Sequence, residues 1–120
     1  MSYIDGYLLA VPSDKRDAYR ECAEKSWVLF KEWGALRHVE CWSDDVPHGK
    51  TTDFFRAVKA EDNESVVFSW IEYPSKAVRD AATAKMMEDP RMKEMGDAMH
   101  FVDGKRMVFG GFVPLMDKSA

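Results

Sequence analysis

The sequence predicts an α+β fold of the ferredoxin-like type, a βαββαβ chain with an antiparallel sheet and two helices on one face. Two observations predict it. Four β-prone runs occur along the chain. Two stretches with apolar residues at steps of three and four lie between the first and second runs and between the third and fourth. The chain has 120 residues, against about 150 for a typical domain. Residues 1–120 are therefore expected to form a single ferredoxin-like domain.

The first strand and the first helix are marked by their boundary residues. Residues 3–11 are rich in Tyr, Ile, Leu and Val and end at Pro12, which is typical of a strand. Ser13 follows as a candidate helix N-cap, and Gly34 suits the left-handed position that ends a helix. One apolar stripe lies between them: Tyr19, Cys22, Ala23, Ser26, Trp27, Phe30 and Trp33.

The middle of the chain contains a second strand and one ambiguous segment. Residues 36–42 predict the strand, and the polar loop 43–52 follows it. Residues 52–59 fit either a short helix capped by Asp53 or an extra strand.

The last third of the chain predicts strand, helix and strand. Residues 66–73 are strongly β-prone, and Ser75 then caps the second helix. Pro90 either breaks this helix or begins a new one. Residues 107–113 predict the final strand.

Side chains alternate between the two faces of a strand, so the predicted strands divide into two sets. The small, apolar set is expected to lie under the two helices: Ile4, Gly6, Leu8, Ala10, Val39, Cys41, Val67, Ser69, Ile71, Val108, Gly110 and Phe112. The other set is aromatic and amphipathic: Tyr3, Asp5, Tyr7, Leu9, His38, Glu40, Trp42, Phe68, Trp70, Glu72, Met107, Phe109 and Gly111. A monomer would expose these rings as a large apolar patch, which soluble proteins rarely do. We therefore expect a homodimer whose two sheets pack face to face around a lumen.

Polar residues of the aromatic set are expected to meet at one end of this lumen. In the usual ferredoxin-like order, the first and second strands both begin beside the end of the third. This brings Asp5 and His38 to Glu72, a group that suits general acid/base catalysis, and these are the candidate catalytic residues. The predicted ligand-binding residues are Tyr7, Glu40, Trp42, Phe68, Trp70 and Phe109. The alternative is a buried polar network that fixes the register of the dimer.

Composition and motifs argue against several other functions. Seventeen Lys and Arg against 21 Asp and Glu give a net charge of −4, so no nucleic-acid partner is expected. No apolar run is long enough for a membrane span, and the N-terminus lacks a signal-peptide pattern. Cys22 and Cys41 lie outside any CxxC motif, which indicates two buried thiols in a cytoplasmic protein. Three scattered histidines and no phosphate-loop pattern predict no metal site and no cofactor.

Four segments carry a resemblance to a known family: YIDGYLLAVP, AVKAEDNESVVFSWIEYPS, MMEDPRM and DGKRMVFGGFVP. The chain resembles, over nearly its whole length, the YbaA-like family of small uncharacterised bacterial proteins, and VVFSWIEYPS is the most specific part. The resemblance implies a dimeric ferredoxin-like α+β barrel of bacterial, cytosolic origin. It implies no catalytic residue. Some barrels of similar structure are cofactor-free monooxygenases, haem-handling enzymes or isomerases, which is an analogy of fold alone.

Two classes of function follow from these expectations. The first is a small-molecule-binding dimeric barrel with acid/base or oxygenase-like chemistry in the lumen. The second is a non-catalytic structural or interaction homodimer whose lumen is filled by its own side chains. A cavity of several hundred Å³ with convergent polar groups favours the first class, and a lumen packed by the tryptophans favours the second.

Overall fold

The computed structural model describes residues 2–120, and these residues form the predicted βαββαβ order. The strands are β1 (Tyr3–Pro12), β2 (Arg37–Trp42), β3 (Glu64–Tyr73) and β4 (Val108–Phe112). The helices are α1 (Arg16–Glu32), α2 (Phe54–Ala57), α3 (Lys76–Glu88) and α4 (Pro90–Ala98). The strands form one antiparallel sheet in the order β2-β3-β1-β4, which is the ferredoxin-like topology.

Three of the predicted boundaries rest on capping contacts. Gly34 has φ 105° after α1, and a Cβ atom there would lie 2.6 Å from Val78 Cγ1, so a larger residue would be strained. Ser75 Oγ accepts a hydrogen bond from the Val78 N–H at the start of α3. The ambiguous segment is helical, since Asp53 caps α2 by accepting from the Arg56 N–H at 2.7 Å.

Two boundaries near prolines were incompletely predicted. Ser13 does not cap α1, because it begins a 3-10 turn at Ser13–Lys15 and its hydroxyl bonds to that of Ser65 at 2.8 Å. Pro90 begins a separate helix, and Asp89 caps that helix by accepting from the Arg91 N–H.

The pairing register determines which side chains lie under the helices, and it corrects the predicted faces. Tyr3 lies opposite Tyr73, and both Asp5 and His38 lie opposite Ile71. The prediction was right for β3 and wrong for β1, β2 and β4, whose aromatic and polar residues face the helices. A one-residue difference in register exchanges the two faces of a strand, and the predicted pairing of Asp5 with Glu72 was wrong by one residue.

The sheet therefore has two different sides, a covered face and an open face. The covered face, under α1, α3 and α4, carries Tyr3, Asp5, Tyr7, Leu9, Val11, His38, Glu40, Trp42, Val67, Ser69, Ile71, Tyr73, Phe109 and Gly111. The open face carries Ile4, Gly6, Leu8, Ala10, Arg37, Val39, Cys41, Val66, Phe68, Trp70, Glu72, Val108, Gly110 and Phe112. The α2 segment packs on one end of the open face, where Val58 contacts Ala10 and Val66.

Large rings lie under the helices because the layer between a sheet and its helices has room for them. Tyr73 is 1% exposed and packs with Leu29, Phe30 and Trp33. Their ring area makes this layer the main core, since apolar burial is the dominant favourable contribution to folding. The smaller aliphatic residues of β1 and β2 are left to the open face.

Candidate functional site

A cleft of about 640 Å³ lies between α1 and the edge strand β2, on the covered side of the sheet. Helical spacing of four places Tyr19, Ala23 and Trp27 on one wall. Strand alternation places His38, Glu40 and Trp42 on the other wall. The remaining lining residues are Arg16, Arg20, Glu24, Cys41 and Val67. The cleft thus combines aromatic walls with converging polar groups, which is typical of a small-molecule site.

The carboxylate of Glu40 is the centre of a hydrogen-bond network in this cleft. The Tyr19 hydroxyl donates to Oε1 at 2.5 Å, and the Ser69 hydroxyl donates to Oε2 at 2.6 Å. His38 Nε2 lies 2.5 Å from the same Oε2. Three elements, α1, β2 and β3, therefore hold one carboxylate in a single orientation.

These contacts set the protonation of Glu40 and Tyr19. Burial raises the pKa of Glu40, but the hydrogen bonds from His38, Ser69 and Tyr19 together lower it by more. The pKa of Glu40 therefore lies below the ordinary value of 4.5. Burial, with the nearby Glu40 charge, raises the pKa of Tyr19. At neutral pH Glu40 is thus an ionised acceptor, so His38 donates from Nε2, and a neutral His38 keeps the lone pair on Nδ1.

Aromatic contacts hold the imidazole of His38 in place. Phe30 meets it edge to face with ring centroids 5.7 Å apart, and Trp27 lies at 6.4 Å. The His38 side chain is only 7% exposed. At the other end of the cleft, the rings of Tyr19 and Trp42 lie 6.5 Å apart. The histidine is therefore oriented by a carboxylate on one side and by rings on the others.

Asp5 belongs to a different cluster on the covered face. Arg79 Nη1 of α3 donates to Asp5 Oδ1 at 2.9 Å, and Nη2 donates to the Tyr3 hydroxyl at 3.2 Å. The Arg79 guanidinium also lies over the Tyr3 ring, 4.7 Å from its centroid. Burial raises the pKa of Asp5 more than Arg79 lowers it. This cluster ties α3 to β1.

The structure does not bring Asp5, His38 and Glu72 together. Glu72 faces the opposite side of the sheet, where it pairs across the strands with Ile4 and Arg37. The predicted group of three was wrong because its register placed these residues on one face. The carboxylate that does contact His38 is that of Glu40, which the sequence predicts as a ligand-binding residue.

The six predicted ligand-binding residues are divided between two cavities. Glu40 and Trp42 line the cleft. Tyr7 lies opposite Phe109 in the register, and their rings stack with centroids 6.4 Å apart. A largely apolar groove of about 670 Å³ is lined by Tyr7, Phe68, Trp70 and Phe109, together with Ile4, Leu8, Val108 and Phe112 of the open face. Within one chain, the six residues therefore do not line a single cavity.

Sequence reasoning missed three residues that complete the polar clusters. Tyr19 lay within the apolar stripe and was assigned to the core, and Ser69 was assigned as a small core residue. Arg79 was not among the predicted site residues, and its side chain is only 20% exposed. Tyr19 carries the one signal that could have been used, because a tyrosine in an apolar stripe needs a partner for its hydroxyl.

Three further expectations from the sequence concern metal ions, membrane-spanning helices and the two cysteines. Within residues 2–120, no three His, Cys, Asp or Glu side chains are close enough to hold a metal ion. In the same range no helix has the length and apolarity needed to cross a bilayer. Both cysteines are free thiols, but only Cys22 is buried, whereas Cys41 is exposed at the edge strand and corrects the prediction of two buried thiols.

Comparison with known proteins identifies relatives over nearly the whole chain. Residues 2–103 match the family described as "Protein of unknown function (DUF1428)". The "Uncharacterized protein YbaA" of Escherichia coli strain K12 is 68% identical over 118 residues, which are 98% of this chain and 100% of that protein. The protein of the same name from Shigella flexneri is equally similar. The resemblance predicted from the four segments is confirmed.

Solved structures share the fold at low sequence identity. A dimeric ferredoxin-like protein from an uncultured marine organism is 13% identical with a TM-score of 0.64, covering 98% of this chain and 100% of that chain. SnoaB, a cofactor-independent oxygenase from Streptomyces nogalater, is 14% identical with a TM-score of 0.58, covering 97% and 95%. The predicted ferredoxin-like fold is thus confirmed, and at this identity the likeness extends to the fold alone.

Proposed function

The chain belongs to the DUF1428 family, and we propose that it binds a small molecule in the α1–β2 cleft and transfers a proton there with His38 and Glu40. The observation that carries the proposal is the set of three hydrogen-bond donors on Glu40 at the floor of an open cleft. Such a carboxylate stays ionised, orients the imidazole and stabilises it when it becomes protonated.

The roles of the two residues differ. His38 is the catalytic candidate, because a neutral imidazole that donates from Nε2 can accept a proton from the ligand at Nδ1. Glu40 is a positioning residue that acts through His38. Tyr19 and Ser69 donate hydrogen bonds to Glu40 and hold its carboxylate group in one orientation. The chemistry is thus the removal of an acidic proton from a carbon or oxygen atom of a small, partly apolar molecule.

One structural neighbour supports side-chain chemistry in a fold of this kind. SnoaB is described as a cofactor-independent oxygenase, so at least one protein of similar architecture is described as reacting without a cofactor. The proton transfer proposed for His38 is the step that its contacts support directly.

The proposal is tested by exchange of carbon-bound protons with solvent deuterium, measured by proton NMR. The probes are carbonyl compounds with an acidic C–H bond, including phenylpyruvate and acetylacetone. We expect the native protein to accelerate exchange of at least one probe, and His38→Ala to reduce that acceleration by about 100-fold, as is typical of a lost general base. Glu40→Gln is expected to reduce it by a smaller factor.

Arg37→Ala is the matched control, because Arg37 precedes His38 in β2 but faces the opposite side of the sheet. It is expected to exchange the probes at the native rate. The proposal fails if the native protein accelerates exchange of none of the probes, or if His38→Ala exchanges them as fast as the native protein while remaining folded by circular dichroism.

We also propose that the chain forms a homodimer through its open face. Phe68 is 48% exposed, Val108 45% and Phe112 62%, although all three are large apolar residues on one surface. A contiguous apolar surface of this kind is normally covered in solution. The marine structural neighbour is described as dimeric, which supports the same use of the fold. The function this favours is the interaction homodimer, and it is compatible with the cleft on the other side of the sheet.

The homodimer is tested by light scattering after size-exclusion chromatography at micromolar concentration. We expect twice the chain mass of 13.8 kDa for the native protein and a single chain for Phe68→Glu, because burying an unpaired carboxylate in an apolar interface is strongly unfavourable. Val28→Glu is the control, since Val28 is 64% exposed on α1, away from the sheet. A native protein that elutes as a monomer contradicts the proposal.

A further inference from the structure

We propose that the ligand of the α1–β2 cleft is a planar organic acid, with its ring over Ala23 between Trp27 and Trp42 and its carboxylate at Arg16 and Arg20. This inference rests on the proposed small-molecule site and names the class of molecule that fits it. Three features of the cleft carry the inference: its aromatic ends, its cationic rim and the charge at its floor.

The aromatic ends indicate a flat ligand. Trp42 of β2 pairs with Tyr19 at one end, and Trp27 of α1 pairs with His38 at the other, so the two indoles lie on opposite walls. Between them α1 presents Ala23, whose small side chain leaves the space open. Indole rings bind flat π-systems by stacking and by edge contacts, so a planar ring has partners on both walls.

The rim of the cleft indicates a negative group on the ligand. Arg16 and Arg20 are one helical turn apart on α1, and both line the cleft. Arg20 lies 3.5 Å from Glu24, and this pair is largely exposed. Arg16 makes no ion pair with any residue between 2 and 120, and it is the first residue of α1, where the helix dipole also favours anions. The planar guanidinium groups suit a carboxylate.

The floor of the cleft determines the orientation of such a ligand. Glu40 is ionised there and would repel a second carboxylate, so the charged group of the ligand is directed to the rim. The end of the ligand that reaches His38 is therefore uncharged, and a carbonyl or hydroxyl group could hydrogen-bond there. The ligand class is thus a planar acid with a neutral polar group opposite its carboxylate.

The test uses the indole N–H signals of the four tryptophans in nitrogen-15 NMR spectra. Trp27 and Trp42 line the cleft, whereas Trp33 is buried under the helices and Trp70 lies on the open face. The probes are 2-naphthoate, neutral 2-naphthalenemethanol and non-planar cyclohexanecarboxylate. We expect 2-naphthoate to shift the Trp27 and Trp42 signals selectively and to bind about tenfold more tightly than either other probe, a factor that corresponds to about 1.4 kcal/mol.

Two variants separate the ring from the charge. Ala23→Leu fills the cleft and is expected to weaken 2-naphthoate binding by more than tenfold, with Ala84→Leu on the exposed side of α3 as the matched control. The double variant Arg16→Ala/Arg20→Ala is expected to remove the preference for 2-naphthoate over 2-naphthalenemethanol, while Arg37→Ala keeps it. Added salt is expected to weaken binding of the acid and to leave the alcohol unchanged.

The outcomes distinguish this inference from the proposal beneath it. Equal binding of 2-naphthoate and 2-naphthalenemethanol at Trp27 and Trp42 overturns the acid class and leaves the small-molecule cleft in place. Equal binding of cyclohexanecarboxylate overturns the planar ring. Shifts confined to Trp70, or no shift with any probe, overturn the inference, and the exchange experiment with His38→Ala then decides the proposed function independently.

Discussion

The two faces of the sheet differ in the polarity of their residues and in what covers them. The covered face holds ionised and hydroxyl groups under its helices, and each finds a partner: Asp5 with Arg79, and Glu40 with His38. The open face is largely apolar and ends in large exposed residues such as Phe112. The difference shows that buried polar groups are tolerated where neighbours from the same chain satisfy them. The open face instead leaves apolar surface exposed, which is the surface that the proposed second chain would cover.

The polar groups of the covered face are matched one by one. Within residues 2–120, no buried side-chain nitrogen or oxygen atom lacks a hydrogen-bond partner. A buried polar network is costly when one member is missing and nearly neutral when it is complete. Breaking a single partner should therefore have large effects on the covered face and small effects on exposed positions.

The largest expected effect is on the ion pair of Asp5. Arg79 contacts two carboxylates at 2.9 Å: Asp5, whose side chain is 9% exposed, and Asp80, whose side chain is 55% exposed. Asp5→Leu is expected to lower the free energy of unfolding by about 3 kcal/mol, because it leaves the guanidinium without its buried partner. Asp80→Leu is expected to cost less than about 1 kcal/mol, because exposed pairs contribute little. Urea unfolding at fixed protein concentration measures both.

A double variant distinguishes the pair from the packing around it. Replacing a complete buried pair by apolar residues of similar volume is often nearly neutral. Asp5→Leu/Arg79→Met is therefore expected to recover most of the stability lost in Asp5→Leu. If the double variant is less stable than the single variant, the loss in Asp5→Leu comes from packing rather than from the unpaired guanidinium.

A smaller effect is expected from two adjacent glycines in β4. A Cβ atom on Gly111 would lie 2.2 Å from the Tyr3 hydroxyl oxygen, whereas one on Gly110 would meet nothing nearer than Phe112 Cε2 at 3.8 Å. Gly111→Ala is thus expected to cost about 2 kcal/mol through overpacking. Thermal and urea unfolding should show Gly110→Ala within about 0.5 kcal/mol of the native protein, as for other substitutions free of strain.

The two alanine variants also allow a direct comparison of the two faces, because consecutive residues of a strand point to opposite sides of the sheet. Tyr3 cannot move freely, since its hydroxyl accepts from Arg79 and its ring lies under the guanidinium. Equal stability of the two alanine variants would show that the covered face is not tightly packed at this edge.

Element order and several boundaries could be read from the sequence because local signals fix them. Gly34, Ser75 and Asp53 act through contacts within a few residues of each other along the chain or through their own backbone angles. The strand runs were also visible in composition. For β3, side-chain alternation also predicted the correct set of residues under the helices. Fold class follows from such local information.

The candidate site could be predicted only in part, because it depends on register across long separations. His38 and Glu40 were identified as polar residues on one face of β2, and this needs only strand alternation. Their partners Tyr19 and Ser69 lie 21 and 29 residues from Glu40 along the chain, and no local pattern connects them. The assumption that the small, apolar set lies under the helices failed for β1, β2 and β4, because polar residues that have partners can lie there too.

The smallest expected effect is the acid dependence of stability that comes from Glu40. Its pKa in the folded protein lies below the ordinary 4.5, so it contributes stability that is present above about pH 4.5 and is lost as the pH falls through the folded pKa. Between about pH 7 and about pH 3, Glu40→Gln should therefore lose less stability than the native protein does. Urea unfolding across this range measures the difference, with Glu72→Gln on the open face as the control variant. A Glu40→Gln profile parallel to the native one would mean that the three hydrogen bonds do not favour the ionised carboxylate, and the polar order of the covered face would then have another cause.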